Sequence, residues 1–230
     1  MLKFTSIATA AVLIAGSTSA ATLTVDFEEF DRGDVLTSLD IGGVATTITT
    51  TEGGDGNSGD VVVFDTTDPG TRADGDPDLG GPFTSADGAT TSEPGNVLII
   101  GEAPGADGGL DTNPDDNGGG GRITFDFLTP ITFNGFDVFD DVTNFSVFSN
   151  LGTIIDGISL DEDNAFASFT GFDAEGITSL TFDFANSSGA IDNLSFTIAA
   201  VPVPASLTLL LAGLGGLGVA SRRRKNAAAA

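Results

Sequence analysis

The sequence has 230 residues, with 33 acidic and 8 basic side chains and no histidine, cysteine, tyrosine or tryptophan. Without cysteine and histidine there can be no disulfide, no thiolate or imidazole metal site, no cysteine nucleophile and no Ser-His-Asp hydrolysis. All acidic residues lie between Asp26 and Asp192, where three arginines against 33 acids leave a net charge of −30. Such a surface repels nucleic acid, which we therefore exclude as a partner.

The N-terminal segment, residues 1–20, has the pattern of a signal peptide. Lys3 supplies a positive charge, residues 7–16 are apolar, and the small residues at 17–20 suit signal peptidase. We expect cleavage after Ala20, with cleavage after Ala21 as the alternative. The mature protein is therefore predicted to be exported.

Residues 21–200 predict one acidic domain rich in strands. Polar and apolar residues alternate at 22–27, 122–127 and 179–184, as in strands with one buried face. Further short runs separated by Gly, Asp, Asn and Pro turns lie at 60–65, 96–102, 131–139, 144–149, 153–160, 165–172 and 191–198. About ten short strands without helical periodicity predict an all-β fold, an antiparallel β-sandwich of the jelly-roll type.

Phenylalanine is the only aromatic residue, and it occurs 18 times. Several phenylalanines occupy alternate positions of the predicted strands, where one face would be core. They are Phe125, Phe127, Phe133, Phe182, Phe184 and Phe196. We predict that these rings pack the interior rather than line a binding face.

Three acidic clusters have the composition of calcium-binding loops, because carboxylate and amide oxygens at close spacing can converge on one hard cation. The candidate ligands are Asp74, Asp76, Asp78, Asp115, Asp116, Asn117 and Asp192. The third cluster, residues 161–164, is the weakest. Neither of the first two clusters fits the helix-loop-helix calcium pattern, so ligands from separate loops would have to meet. Solvated acidic turns are the alternative interpretation, since turns select the same residue types.

The C-terminal region, residues 201–230, has three parts in a fixed order. A proline-containing motif comes first, an apolar segment at 205–220 follows, and a basic cluster closes the signal. The motif is Val201, Pro202, Val203, Pro204 and Ala205, and the basic cluster is Arg222, Arg223, Arg224 and Lys225. This order predicts a short transmembrane helix with its basic end in the cytoplasm. A stable span needs about 20 residues, so the segment is a short anchor.

These three parts resemble the VPLPA-CTERM variant of the PEP-CTERM sorting signals, with Val203 where that motif has leucine. The resemblance implies recognition by an exosortase, an integral-membrane cysteine transpeptidase of Gram-negative bacteria. It also implies anchoring in the inner membrane with the domain in the periplasm, then processing and delivery to the cell surface or the exterior. The folded part resembles, more loosely, the β-sandwich ectodomains that carry such tails.

The expected function is that of a non-enzymatic exported surface or matrix protein, stabilised by calcium. Its association with extracellular polysaccharide or biofilm comes from the resemblance. One alternative is a carbohydrate-binding module, which would need a row of exposed aromatic rings. Another is a glycoside hydrolase, which would need two carboxyl groups facing each other in a cleft.

Overall fold

In the residues that the structure describes, the chain between the two terminal segments forms an all-β structure of 12 strands. The computed structural model describes residues 20–51, 59–67, 79–102 and 114–199, together with 210, 213–215 and 217. The strands are β1 (Ala21–Val25), β2 (Ser38–Ile41), β3 (Val44–Thr51), β4 (Val61–Asp65), β5 (Phe83–Ser85), β6 (Thr91–Ser92), β7 (Asn96–Ile100), β8 (Arg122–Phe139), β9 (Phe145–Ser149), β10 (Gly152–Ile158), β11 (Ala165–Asp183) and β12 (Ala190–Ile198). Ala21–Ile198 forms one compact unit. Every strand pairing is antiparallel except the pairing of β5 with β11, which is parallel.

Two long strands, β8 and β11, pair with each other and organise the sheet. On its other side, each pairs with one strand near its beginning and with a different strand near its end. Arg122 to Phe127 of β8 pair with β3, whereas Thr132 to Phe139 pair with β12. In the same way, the last residues of β11 pair with β9 and its first residues with β5. One half of the sheet is therefore β2-β3-β8-β11-β9-β10, and the other is β4-β7-β12-β8-β11-β5-β6.

The change of partner in β8 falls at Leu128 to Pro130, three exposed residues. Proline has no N–H to donate, so a strand tolerates it where the ladder is interrupted. The pairing with β11 also shifts register here, between the pairs Ile177–Ile131 and Ser179–Asp126. The sequence predicted two strands, 122–127 and 131–139, where the structure has one irregular strand.

The main core draws residues from both halves of the sheet and is dominated by phenylalanine rings. Phe133 of β8 lies within 5.6–6.2 Å, between ring centroids, of Phe136, Phe172, Phe182 and Phe196. The six phenylalanines predicted to be core are all buried, at 5% exposure or less. A second, smaller core lies around β4 and β7 and includes Leu79, Phe83 and Phe139.

The β2–β3 hairpin was absent from the predicted strands. Its two-residue turn is Gly42–Gly43, with φ of +60° and +88°. A two-residue hairpin turn of type I′ needs positive φ at both positions, and glycine adopts it without strain. Paired glycines between two alternating runs are therefore the signal that could have revealed this hairpin.

Among the described residues of the C-terminal segment, Leu210, Gly213–Gly215 and Leu217 are helical and exposed. Leu210, Leu214 and Leu217 are four and three positions apart, so they share one helical face. In the part of the chain that the structure describes, no helix is long and apolar enough to cross a membrane. The predicted signal peptide lies outside the described residues, apart from Ala20. So do the predicted motif at 201–205 and the basic cluster at 222–225.

Candidate functional site

Three of the candidate calcium ligands, Asp115, Asp116 and Asn117, run beside the end of β7. The Asn117 N–H donates to the Ile100 carbonyl at 2.8 Å, and the Glu102 N–H donates to the Asp115 carbonyl at 2.9 Å. Asp116 is 8% exposed and Asn117 is 2% exposed. These residues are therefore built into the sheet end and do not form a solvated acidic loop.

Asp116 holds the turn that begins β12. Its Oδ2 accepts a hydrogen bond of 2.7 Å from the Gly189 N–H, while Asp140 Oδ2 accepts one of 3.1 Å from the Ser188 hydroxyl. Gly189 has φ of +142°, and a Cβ there would lie 2.6 Å from Val142 Cγ1. Only glycine suits this position, and hydrogen bonds to two carboxylates on separate segments hold the turn.

Asp192 lies in a β-bulge of β12, where the strand changes neighbours on one edge. Ala190 and Ile191 pair with β7, whereas Leu194 to Ile198 pair with β1. The pairing with β8 shifts register after Asp192, and Asn193 has φ of +52°. On that edge, Asp192 therefore lies between the end of β7 and the end of β1, and on the other edge it pairs with Asp137 of β8.

The environment of Asp192 disfavours its charge. The residue is 1% exposed, and its Oδ1 has no hydrogen-bond partner. Burial raises the pKa of its carboxyl group to about 8, and the nearby charges of Asp137, Asp26 and Glu28 act in the same direction. The Asn193 N–H opposes the shift. At neutral pH the folded protein therefore holds Asp192 mainly as the uncharged acid.

The sequence did not single out the residues that surround this carboxyl group. Asp137 accepts a hydrogen bond of 2.8 Å from Asn193 Nδ2, and Glu28 accepts one of 2.8 Å from the Asn96 N–H. Their positions depend on the register of β8 and on the turn after β1. Neither feature can be read from local composition, since the paired strands are far apart in the sequence.

The candidate calcium ligands come together only in part. Asp116 accepts a hydrogen bond from Gly189, just before β12, and Asp192 lies within β12, three residues after Gly189. Asp74, Asp76 and Asp78 lie outside the described residues. Within the described ranges, no group of three or more acidic side chains could hold a metal ion. Calcium binding therefore stays a prediction.

A groove of about 630 Å³ runs along the β2–β3 hairpin and β8, and Asp40 and Asp126 both line it. Both carboxyl groups belong to exposed residues. Asp40 Oδ1 also accepts a hydrogen bond of 2.7 Å from the Gly43 N–H of the hairpin turn. The general acid of a glycosidase is instead held in a protected apolar setting that raises its pKa.

The C-terminal segment carries the feature that decides how this chain is handled in the cell. Residues 200–225 match the PEP-CTERM protein-sorting motif. The chain thus has the signal of an exosortase-sorted protein, and exosortase, a membrane transpeptidase, is its implied partner. The motif implies export and anchoring in the membrane before processing. Neither the curated proteins nor the solved structures contain a match to this chain.

Proposed function

We propose that this protein is a non-enzymatic surface or matrix protein whose acidic β-domain is delivered outside the cell by exosortase processing. The observation that carries the proposal is the sorting motif at residues 200–225, which begins two positions after the last strand ends at Ile198. The domain is the cargo and the tail is the sorting signal. The VPLPA variant, the N-terminal signal peptide and the short transmembrane helix at 205–220 are parts of this proposal.

We further propose that Ala21–Ile198 is an antiparallel β-sandwich of the jelly-roll type. The two halves of the sheet share β8 and β11, whose interruptions let the strands pass from one half to the other. The main core contains Ile48 and Phe125 from one half and Phe133 and Ile191 from the other. Side chains from both halves meeting in one interior are what a sandwich requires.

The distribution of the phenylalanines favours a surface or matrix protein over a carbohydrate-binding module. No phenylalanine in the described ranges is exposed, and a sugar-binding face of stacked rings would need several. The proposed association with extracellular polysaccharide would therefore use other contacts. Co-sedimentation of the mature protein with the polysaccharide of its own host tests this association. Protein that stays entirely in the supernatant would contradict it.

Processing of the tail can be measured directly on protein recovered from the host. Mass spectrometry of the mature protein should show a chain that begins at Ala21 or Thr22 and lacks everything beyond the 201–205 region. In a host that lacks the sorting enzyme, the tail should remain. A mature wild-type chain that ends at Ala230 would contradict the proposed function.

Calcium is the proposed counter-ion of the acidic domain. A cation bound by carboxylates would relieve the self-repulsion of the net charge of −30 between Asp26 and Asp192. At a calcium concentration of about 100 times its dissociation constant, binding would stabilise the fold by about 2.7 kcal/mol. For a domain of this size, that corresponds to a rise in Tm of about 5–10 °C.

The predicted rise in Tm can be measured by thermal melting of the mature protein in calcium and in chelator, with far-ultraviolet circular dichroism as the signal. Asp116→Asn keeps a hydrogen-bond acceptor for Gly189 but removes the charge, so it should reduce the calcium response. Asp126→Asn, at an exposed position of β8, is the matched control. Equal melting temperatures of the wild-type protein in calcium and in chelator would rule out calcium stabilisation.

A further inference from the structure

Both connections between the β-domain and the terminal segments leave from one rung of the sheet. β1 begins at Ala21 and β12 ends at Ile198, and these two residues are direct antiparallel partners. The next rung pairs Thr22 with Thr197, whose hydroxyl oxygens are 3.2 Å apart. Whatever acts on the C-terminal tail therefore works beside the first residues of the mature chain.

The spacer between this rung and the sorting motif is very short. The motif begins at residue 200, so Ala199 alone separates it from the strand. An extended chain gains at most about 3.6 Å per residue, so a one-residue spacer adds only that length between the strand and the motif. An enzyme that cuts in the 201–205 region meets the edge of the folded sheet.

Enzymes that act on peptides commonly bind several residues in extended form, by main-chain hydrogen bonds. Here the residues before the motif are already paired. Thr197 pairs with Thr22 on one side and with Thr132 of β8 on the other, and its hydroxyl also accepts a hydrogen bond of 2.8 Å from Asn134 Nδ2. Ile198 pairs with Ala21 alone. The last two rungs are thus occupied by β1 in the folded domain.

The burial pattern sets how far this end can open. Ala21 and Thr22 are exposed, and Thr197 and Ile198 are half-buried. Phe196 is 0% exposed and contacts the rings of Phe127 and Phe133. Ile198 packs against the main core, so opening the two terminal rungs withdraws one half-buried side chain but no fully buried ring. Opening a third rung would expose Phe196, which is 0% exposed.

The two paired strand ends themselves carry no charge. No acidic or basic residue occurs from Ala21 to Val25 or from Asn193 to Ala205. Along the row that starts with Thr22 and Thr197, the next strand contributes Thr132 and the one after it Glu175. Strands are about 4.8 Å apart, so this carboxylate lies about 10 Å from Thr197 along the row. The strand ends are therefore uncharged themselves, while acidic side chains lie on nearby strands.

We propose that the paired ends of β1 and β12 are the surface at which the sorting enzyme engages the folded domain, and that the two terminal rungs open to admit residues 197–200 in extended form. The proposal rests on the exosortase processing set out above. β1 acts as a clasp, because its first two residues hold the strand that the enzyme needs.

A cross-strand disulfide tests the clasp, since the chain has no cysteine of its own. Thr22→Cys with Thr197→Cys places two thiols where the hydroxyls are in contact, and the oxidising periplasm would join them. In the full-length precursor, expressed in its own host, this lock should slow the loss of the tail by about tenfold or more, because the rungs can no longer open. A reductant added to the cells should restore the wild-type rate.

The matched control is a second pair of threonines in the other half of the sheet. Thr124 and Thr181 are also antiparallel partners, with hydroxyl oxygens 2.9 Å apart. The corresponding double cysteine variant carries an equivalent disulfide far from the chain ends in sequence, and its tail should be lost at the wild-type rate. Signal-peptide removal and resistance to added protease report export and folding for both locked variants.

A variant with a longer spacer tests whether the disulfide slows processing because the enzyme cannot reach the motif. Four Gly/Ser residues inserted after Ala199 add up to about 14 Å, so the enzyme no longer needs the strand, and processing of the Thr22–Thr197 lock should recover. If the disulfide-locked chain loses its tail as fast as the wild type, the proposal that the terminal rungs must open is wrong. If the spacer does not restore processing of the locked chain, the clasp is also wrong. Failure of the wild type to lose its tail would instead overturn the proposed function.

Discussion

Replacing Asp192 with asparagine should stabilise the domain at neutral and alkaline pH, by about 5 kcal/mol at pH 8. The wild-type carboxyl group has a pKa of about 8 when folded, against the ordinary value of 3.8. Asparagine carries no charge in either state, so the variant does not have to ionise a buried group. This is an unusual case in which removal of an acid from the interior should strengthen the fold.

The pH dependence of this stabilisation follows from how the folded and unfolded chains bind the proton of Asp192. Between pH 3.8 and about 8 the folded chain keeps the proton of Asp192, whereas the unfolded chain has lost it. The contribution of this group is therefore fully present below pH 3.8 and falls by about 1.4 kcal/mol per pH unit as the pH rises towards 8. Above the folded pKa it does not fall further.

Urea denaturation of residues 21–200 from pH 4 to pH 9 measures the effect. The free energies of unfolding of wild type and Asp192→Asn should separate progressively as the pH rises. Asp126→Asn, which removes a charge from an exposed position of β8, should show no comparable separation. Parallel stability curves for the wild type and Asp192→Asn would show that Asp192 is ionised in the folded domain.

Replacing Phe133 with alanine should have the largest destabilising effect of any single substitution considered, about 3–5 kcal/mol. The ring is 0% exposed and lies close to four other rings, two from β11 and one from β12 among them. Its removal leaves a cavity that the neighbouring strands cannot close, because their positions are fixed by the ladder. Phe133→Leu should cost clearly less, since most of the volume remains.

Urea denaturation of the same domain also checks this substitution. The control is Leu128→Ala in the same strand, where the side chain is 79% exposed and the change should stay within about 0.5 kcal/mol. Equal losses for Phe133→Ala and Leu128→Ala would mean that the phenylalanine cluster does not support the fold as described.

Local sequence patterns predicted the strand content well and the connectivity poorly. The runs at 122–127 and 131–139 were correctly predicted as strands, yet they are the two ends of β8. Pro130 is typical of a turn or a strand break, yet β11 pairs with β8 on both sides of residues 127–130, so the chain continues as one strand. Tertiary pairing of this kind leaves no signal in a short window of sequence.

The acidic residues show the same limit. Their composition indicated turns or calcium loops, whereas Asp116 and Asp192 are buried. Asp116 accepts a hydrogen bond from the turn before β12, and Asp192 lies within that strand. Burial depends on which strands lie alongside, and a raised pKa depends on burial. By contrast, the sorting tail was recognised from sequence because its three parts are contiguous, so no fold is needed to bring them together.

The position of β12 has a mechanical consequence. A load applied through the C-terminal tail enters the sheet at this strand, which lies between β8 on one side and β7 and β1 on the other. When the pull acts along the strand, the hydrogen bonds on both sides share it in shear and do not break one after another. A domain tethered by its tail would then resist flow better than one tethered through a strand at the edge of the sheet.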